Sequence, residues 1–411
     1  MVLTSVTEPA RSYEQLYSRR GREAPRPRIG DPHESANMVT FLYGFPDAGS
    51  LPKRSVAEAA VRALETEGEW ALQYGKTTGA PCLVEALLDK LRRDQGIVAR
   101  PENVMITAGG SQGVQLLLDL FLDWGDTVIV EAPTWMGFLW ALRNVGGQAI
   151  AIPLNDEGPD TDTLERELAR LRAEGTIPKF IYVISNFQNP SGISTSLDRR
   201  RRLIELAQAY GTMIVEDDAY HDLRYEGEPI PSLYALDSSG STIYLGTLSK
   251  TMGAGMRLGW LIAPEEIIEK LSVLKIDGGT NIIGSHIAAA WLPDHLPAHV
   301  AALRSLYRRR RDAMLDALAR HMPPGTTWTT PQGGFFIWVT LPEGIDTARM
   351  LPQARERGVE YLPGATCYVD GSGANQMRLS FSFPTEEQIE RGVRILGEII
   401  RGELMEQGRS T

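Results

Sequence analysis

The sequence predicts an α/β fold: a mostly parallel sheet covered on both faces, followed by a smaller α/β unit. Three observations carry this. From about residue 55 to 285, short stretches rich in β-branched residues alternate with helical stretches, the mark of parallel strands joined by crossovers. Beyond that the pattern changes to paired strands, a Gly-Gly bend and a closing amphipathic helix. The 411 residues are also too many for one simple core and suit a large domain plus a small one.

Residues 1 to about 40 are polar and punctuated by Pro25, Pro27, Gly30 and Pro32, which reads as a short helix over 13–20 and then an irregular arm. Helices follow over 56–68 and 83–95. Strand 103–107 leads into a nearly all-apolar helix over 113–122. Further strands are expected at 126–131, 179–185, 212–216 and 242–245, with a helix over 197–210 that carries an arginine-rich exposed face. Near the end, Trp328 to Trp338 reads as paired strands around Gly333-Gly334, and 377–383 as a strand by alternation. Thr385 and Gln388 are spaced for a capping box, and Ile389, Val393, Leu396 and Ile400 form the apolar stripe of the helix it starts. The expected units are an arm over 1–48 that packs with the small domain, a large domain over 49–285 and a small C-terminal domain over 286–411.

Composition excludes several classes of partner. With 42 basic against 52 acidic side chains the net charge is −10, which disfavours nucleic acid and anionic membranes. The two cysteines, Cys82 and Cys367, belong to no CxxC pair or Cys/His cluster, so neither a metal site nor a disulfide framework is expected, and a reducing cytoplasm fits. The first 28 residues hold six arginines and no continuous apolar core, unlike a signal peptide. No run of 18 apolar residues occurs.

Ligands of open parallel sheets sit beyond the carboxyl ends of the strands. The residues just past each expected strand are Gly109-Gly110-Ser111-Gln112, then Pro133 and Trp135, then Asn189-Pro190-Ser191-Gly192. After these come Asp217, Asp218 and Tyr220, and last Thr247, Ser249, Lys250 and Arg257. They suit an aromatic aldehyde phosphate. Amides at a helix N-terminus favour an anion, and Ser111, Thr247, Ser249 and Arg257 add donors and charge. Trp135 can stack on a ring, and Asn189 and Tyr220 can hydrogen-bond a ring oxygen. Asp217 beside a pyridine nitrogen would favour its protonated form, and a partly desolvated Lys250 among cations would be nucleophilic. Singly, each has an ordinary structural explanation: a surface lysine, a helix cap, a core tryptophan, a turn. Together and at one sheet edge they point to one site.

These residues resemble the class I and II aminotransferases of fold type I, which carry pyridoxal phosphate. The closest resemblance is to the subgroup of 2-aminoadipate and kynurenine aminotransferases. The stretches that carry it are Ser185-Asn-Phe-Gln-Asn-Pro-Ser-Gly192, Val215-Glu-Asp-Asp-Ala-Tyr220, and Tyr244-Leu-Gly-Thr-Leu-Ser-Lys250 followed by Gly255-Met-Arg257. Leu72-Gln-Tyr74-Gly, Gly110-Ser-Gln112 and Met377-Arg378-Leu-Ser380 add to it, and the likeness covers about residues 40 to 405.

The resemblance implies a large domain with a mostly parallel seven-stranded sheet plus a small α/β domain. It implies Lys250 as the Schiff-base lysine, Asp217 as partner of the pyridine nitrogen, and Asn189 and Tyr220 at the 3-oxygen. Gly110, Ser111, Gln112, Thr247, Ser249 and Arg257 would hold the phosphate, and Trp135 would stack on the ring. Tyr74 would reach the phosphate of a second subunit, which makes the expected assembly a homodimer with shared active sites. Arg378 and Asn189 would clamp the substrate α-carboxylate beside the backbone of Gly44. The implied reaction moves an amino group from an L-amino acid to a 2-oxo acid such as 2-oxoglutarate or pyruvate, with Lys250 as anchor, general base and general acid in turn. Another reaction on the same scaffold, a lyase, decarboxylase or oxidase, is the alternative. The sequence departs from the pattern at the N-terminus, where Arg11, Arg19, Arg20 and Arg22 are candidates to meet an acidic substrate side chain but do not align cleanly.

Overall fold

The computed structural model describes residues 13–23 and 38–410. Its main sheet has eight strands in the order Val104–Thr107, Gly259–Ile262, Thr242–Thr247, Met213–Asp217, Phe180–Val183, Thr127–Ala132, Gln148–Asn155 and Gly158–Pro159. The seven strands of the expected sheet are thus joined by an eighth of two residues, which folds back antiparallel on the edge. The five strands from Thr242–Thr247 to Gln148–Asn155 pair in parallel. Gly259–Ile262 runs antiparallel between Val104–Thr107 and Thr242–Thr247, so those two also share the common direction. Six carboxyl ends therefore meet at one edge.

The central strands read as unbroken apolar runs because both of their faces are covered. Ile129, Ile181, Val183 and Ile214 face the helices Thr161–Ala173 and Leu197–Tyr210 through Leu164, Leu168, Leu203 and Ala207. Val128, Val130, Tyr182 and Val215 face the other side, against Val114, Leu117 and Leu118 of the helix Gly110–Phe121 and Phe138 of the helix Met136–Asn144.

Two local expectations change. The helix expected over 13–20 is split into a 3₁₀ turn, Glu14–Leu16, and a helix, Arg19–Glu23. Tyr17 is extended, and the Ser18 hydroxyl accepts from Gly21 N, so the chain restarts its helix behind a serine cap. In the helix Leu197–Tyr210 one arginine of the expected exposed face is wholly buried. Arg200 donates to Ser185 O and Asn186 Oδ1, both at 2.8 Å, and to Pro231 O at 2.9 Å. A buried guanidinium is tolerated only when its donors are satisfied, and here it fastens the chain just ahead of Asn189.

A 40-residue helix, Ile282–His321, spans the molecule. Its first half buries Trp291, Leu292, Leu296 and Val300 with Leu83, Leu87 and Leu91, beside the large sheet. Its second half buries Leu303, Tyr307, Met314 and Leu318 with Phe335, Ile337, Leu379 and Ile389. The boundary expected between 285 and 286 falls inside this helix, and one rod serves two cores. The smaller sheet pairs Thr327–Trp328, Phe336–Thr340, Gln376–Ser380 and Leu362–Pro363, all antiparallel. The closing helix starts as its cap predicts: Thr385 N donates to Gln388 Oε1 at 2.9 Å and Gln388 N to Thr385 Oγ1 at 3.3 Å. Ile389, Val393, Leu396 and Ile400 are fully buried, each worth roughly 1.5–3 kcal/mol of apolar burial. The short strand Val39–Thr40 pairs with Val359–Glu360, which ties residues 39–41 to the small unit.

Candidate active site

A cavity of about 600 Å³ opens where the six carboxyl ends face the small unit. Twelve of the fourteen residues expected at the site line it: Gly44, Gly110, Ser111, Trp135, Asn189, Asp217, Tyr220, Thr247, Ser249, Lys250, Arg257 and Arg378. Gln112 and Tyr74 do not. The Gln112 side-chain oxygen folds back to accept from Ala108 N at 2.7 Å, so it holds the loop after the first strand rather than facing the cavity. Tyr74 is 85% exposed on the outer surface.

Lys250 sits in a π-turn, Ser249–Gly253, that follows directly on the strand Thr242–Thr247. Its Nζ donates to Gly44 O at 3.0 Å. Burial drives the amine down to about 8; Arg378 and Arg257 push the same way and Asp217 opposes them. Gly44 has no room for a side chain, since a Cβ there would lie 2.6 Å from Phe336 Cζ. The glycine lets the backbone come within reach of the lysine.

Asp217 ends the strand Met213–Asp217, and its Oδ2 accepts from the Tyr182 hydroxyl at 2.7 Å. Burial raises its carboxyl to about 6, with Tyr182 and Lys250 opposing. At neutral pH it is still chiefly an anion at the cavity wall, which fits a cationic ring nitrogen. The Tyr220 hydroxyl is pushed up by burial, against the pull of Arg378 and Asn189. It therefore stays a neutral donor.

The anion-binding end is built from the loop 108–111 and the turn 247–257. Gly109, at φ +79°, precedes the helix Gly110–Phe121 without a side-chain cap, leaving the first amides of that helix free. Arg257 is itself left-handed, at φ +48°, and donates to Ala108 O at 2.7 Å and Ala254 O at 3.2 Å. A Cβ on Gly109 would lie 2.8 Å from its Nη2. Thr247 Oγ1 lies 2.8 Å from Ser249 Oγ and accepts from Ser249 N at 3.1 Å. Free helix amides, two hydroxyls and a guanidinium fit a phosphate.

Across the cavity Arg378 is 3% exposed. It donates to Asn189 Oδ1 at 2.7 Å and to Leu42 O, and its guanidinium lies 4.2 Å from the Phe336 ring. Its Nε has no partner, and among the described residues no carboxylate pairs with it. A buried, unneutralised guanidinium is costly unless an anion arrives, an arrangement that suits a carboxylate.

Several residues of the site escape the sequence reading. Tyr182, which supports Asp217 from behind the cavity lining, is one, a lone hydroxyl in an apolar strand. Others are the stacked pair Tyr43 and Phe45, with ring centroids 4.7 Å apart, and Trp140. The helix Thr347–Glu356 adds Ala348, Leu351 and Arg355, whose spacing of three and four marks one face of a helix. The N-terminal arginines that are described lie elsewhere. Arg19 pairs with Glu23 and sits 4.0 Å over the Trp124 ring, at the start of the strand Thr127–Ala132, opposite the cavity edge. Arg22 donates to Tyr17 O. Neither Arg20 nor these two line the cavity, and Arg11 is outside the described residues.

Known proteins carry the same architecture. The chain is 40% identical over 374 residues to an aromatic-amino-acid aminotransferase of Thermococcus litoralis, covering 90% of each chain. A kynurenine aminotransferase structure from Pyrococcus horikoshii superposes with a TM-score of 0.91 at 39% identity, over 95% of this chain and 98% of that one. An α-aminoadipate aminotransferase structure from Thermus thermophilus, complexed with N-(5'-phosphopyridoxyl)-L-leucine, superposes at 0.88 with 34% identity over 96% and 99%. Residues 43–396 match the family described as aminotransferase class I and II. A desolvated lysine, a buried aspartate and a phosphate cradle at one sheet edge agree with that match, and the chain belongs to the pyridoxal-phosphate-dependent class I and II aminotransferases.

Proposed function

We propose that Lys250, Asp217 and Arg378 carry the aminotransferase reaction, with an L-amino acid as donor and 2-oxoglutarate or pyruvate as acceptor. The observation behind this is the charge arrangement. A lysine held near pKa 8 faces an ionised aspartate and an unpaired buried arginine across one cavity. Pyridoxal phosphate supplies the aldehyde that takes up the amino group and, with its ring nitrogen protonated, an electron sink for the substrate α-carbon.

The chain's own residues do the rest. Arg378, with Asn189, grips the α-carboxylate and fixes the direction of the Cα–H bond. Lys250 Nζ, neutral in a useful fraction near pH 7–8, takes the α-proton and would return it to the carbon that began as the cofactor's aldehyde, two atoms along. Asp217 keeps a proton on the ring nitrogen, and Tyr220 and Asn189 hydrogen-bond the neighbouring ring oxygen. Gly110, Ser111, Thr247, Ser249 and Arg257 hold the phosphate, Gln112 bracing the loop behind them. Trp135 covers one face of the ring, and Gly44 O orients the Lys250 amine.

The exposed Tyr74 supports a homodimer in which this ring reaches the phosphate end of a second copy's site. Its neighbours Trp70 and Leu72 are similarly exposed apolar residues. The proposed division is an arm over 1–48, a large domain over 49–285 and a small domain over 286–411. A cytoplasmic location fits the two unpaired cysteines.

The test is Lys250→Ala. It removes the absorbance of the lysine-bound cofactor and abolishes turnover, whereas persistence of both overturns the assignment. A half-reaction screen with a panel of amino acids then identifies the donor.

A further inference from the structure

Five charged side chains line the cavity among the described residues: Asp217, Lys250, Arg257, Arg378 and Arg355. The first four have work at the cofactor or the α-carboxylate. Arg355 does not. It stands on the face of Thr347–Glu356 that also presents Ala348 and Leu351 to the cavity, while Thr347, Met350 and Ala354 anchor the other face in the core. Asp346 caps this helix by accepting from Ala348 N at 2.9 Å and Arg349 N at 3.2 Å, so the position of Arg355 is set by a rigid element.

Its guanidinium makes one weak contact, Nη2 to Glu360 Oε2 at 3.5 Å, and is 40% exposed, while the Glu360 side chain is 6% exposed. Among the described residues it donates no hydrogen bond. The arginine thus has a resting counter-ion and spare donors turned toward the cavity mouth. Glu360 also places this pair along the chain. Two residues on, Leu362 is the direct strand partner of Arg378, and Leu362, Arg378 and Arg355 line the same cavity. Two arginines bordering one cavity suit an acid with a carboxylate at each end.

Resting on the aminotransferase reading above, we propose that Arg355 receives the second carboxylate of a dicarboxylic substrate, a five-carbon 2-oxo diacid or its amino counterpart, while Arg378 holds the first. With an apolar or aromatic substrate, Arg355 stays with Glu360, and Tyr43, Leu351 and Leu362 line the pocket for the side chain. The described N-terminal arginines play no part within the same chain, since Arg19 is stacked on Trp124 at the far edge of the sheet.

The experiment titrates the cofactor-loaded enzyme with two unreactive acids of equal length, glutarate and valerate, following the cofactor's absorbance. It compares wild type with Arg355→Leu, Arg355→Lys and Glu360→Gln, and measures half-reactions with glutamate and phenylalanine. Wild type is expected to prefer glutarate. Arg355→Leu weakens glutarate binding by about 30-fold or more, the loss of one carboxylate–guanidinium contact, and slows the glutamate half-reaction correspondingly. Valerate and phenylalanine stay within about threefold of wild type. Arg355→Lys restores part of the preference, and Glu360→Gln, by freeing the arginine, tightens glutarate binding.

Equal binding of the two acids by wild type overturns the proposal. So does an Arg355→Leu loss shared equally by both acids, which would mark a structural role. A wild type that distinguishes the acids but exchanges no amino group with any amino acid would instead remove the aminotransferase reading and leave the subsite standing.

Discussion

The Tyr182 hydroxyl donates a 2.7 Å hydrogen bond to Asp217 Oδ2 beneath the cavity floor. Tyr182 is fully buried and stacks at 3.8 Å on Phe138, so the donor cannot swing away. Burial raises the Asp217 pKa and this hydrogen bond lowers it. Tyr182→Phe removes the lowering contribution and keeps the stacking. The Asp217 carboxyl should rise by about one pKa unit, the equivalent of 1.4 kcal/mol. In the apoprotein, affinity for pyridoxal phosphate should fall as pH drops through about 6, where Asp217 takes up a proton. In the variant that fall should begin about one unit higher, with roughly fivefold weaker binding at pH 6 and approaching tenfold below it. Tryptophan fluorescence titration measures it, and an unmoved profile rules the coupling out.

Lys250 costs the empty protein stability. Its folded pKa of about 8 lies below the usual lysine value of 10.5, so the unfolded chain binds the proton more tightly. The destabilisation is full below pH 8 and is relieved as pH rises from 8 to 10.5. Lys250→Met should therefore stabilise the apoprotein at pH 7 by about 2 kcal/mol, a figure discounted for water reaching the cavity. The gain should disappear above about pH 10. Denaturant melts at pH 7 and 10 decide it, and a variant no more stable than wild type at pH 7 contradicts it.

Arg378→Leu should show two effects with separate readouts. Steady-state kcat/KM for any L-amino acid should fall about 10²–10³-fold, the loss expected for a desolvated charge pair. Arg378 also holds the Lys250 amine down. Without that cation the pH at which the apoprotein lysine captures the aldehyde should move upward. A variant that loses turnover while this midpoint stays fixed would separate Arg378 from Lys250.

At the other end of the molecule, Thr385→Ala breaks the capping box and should cost about 1 kcal/mol with turnover unchanged. Thr385 Oγ1 accepts from Gln388 N at 3.3 Å, remote from the cavity. A thermal melt checks it; no loss of stability would show the cap to be redundant.

Local causes were readable in the chain and tertiary causes were not. Thr385 and Gln388 cap each other three residues apart, the apolar stripe from Ile389 to Ile400 follows helical spacing, and Trp328 folds onto Val339 across the Gly333-Gly334 bend. Lys250, Asp217, Asn189 and Ser111 were found together because a parallel sheet sends every strand's carboxyl end to one edge, so order along the chain becomes proximity in space. Which way a side chain turns once there depends on partners far away in sequence. Gln112 spends its oxygen on Ala108, Arg200 is drawn inside by the carbonyls of Ser185 and Pro231, and Tyr182 meets Asp217 across 35 residues. Arg355 looks like any exposed helix arginine until packing sets its helix beside the strand partner of Arg378. Residue types and their order along the chain pointed to the chemistry at the sheet edge. Burial and charge settled how each group is tuned, since a pKa belongs to a residue's surroundings and only the packed chain supplies them.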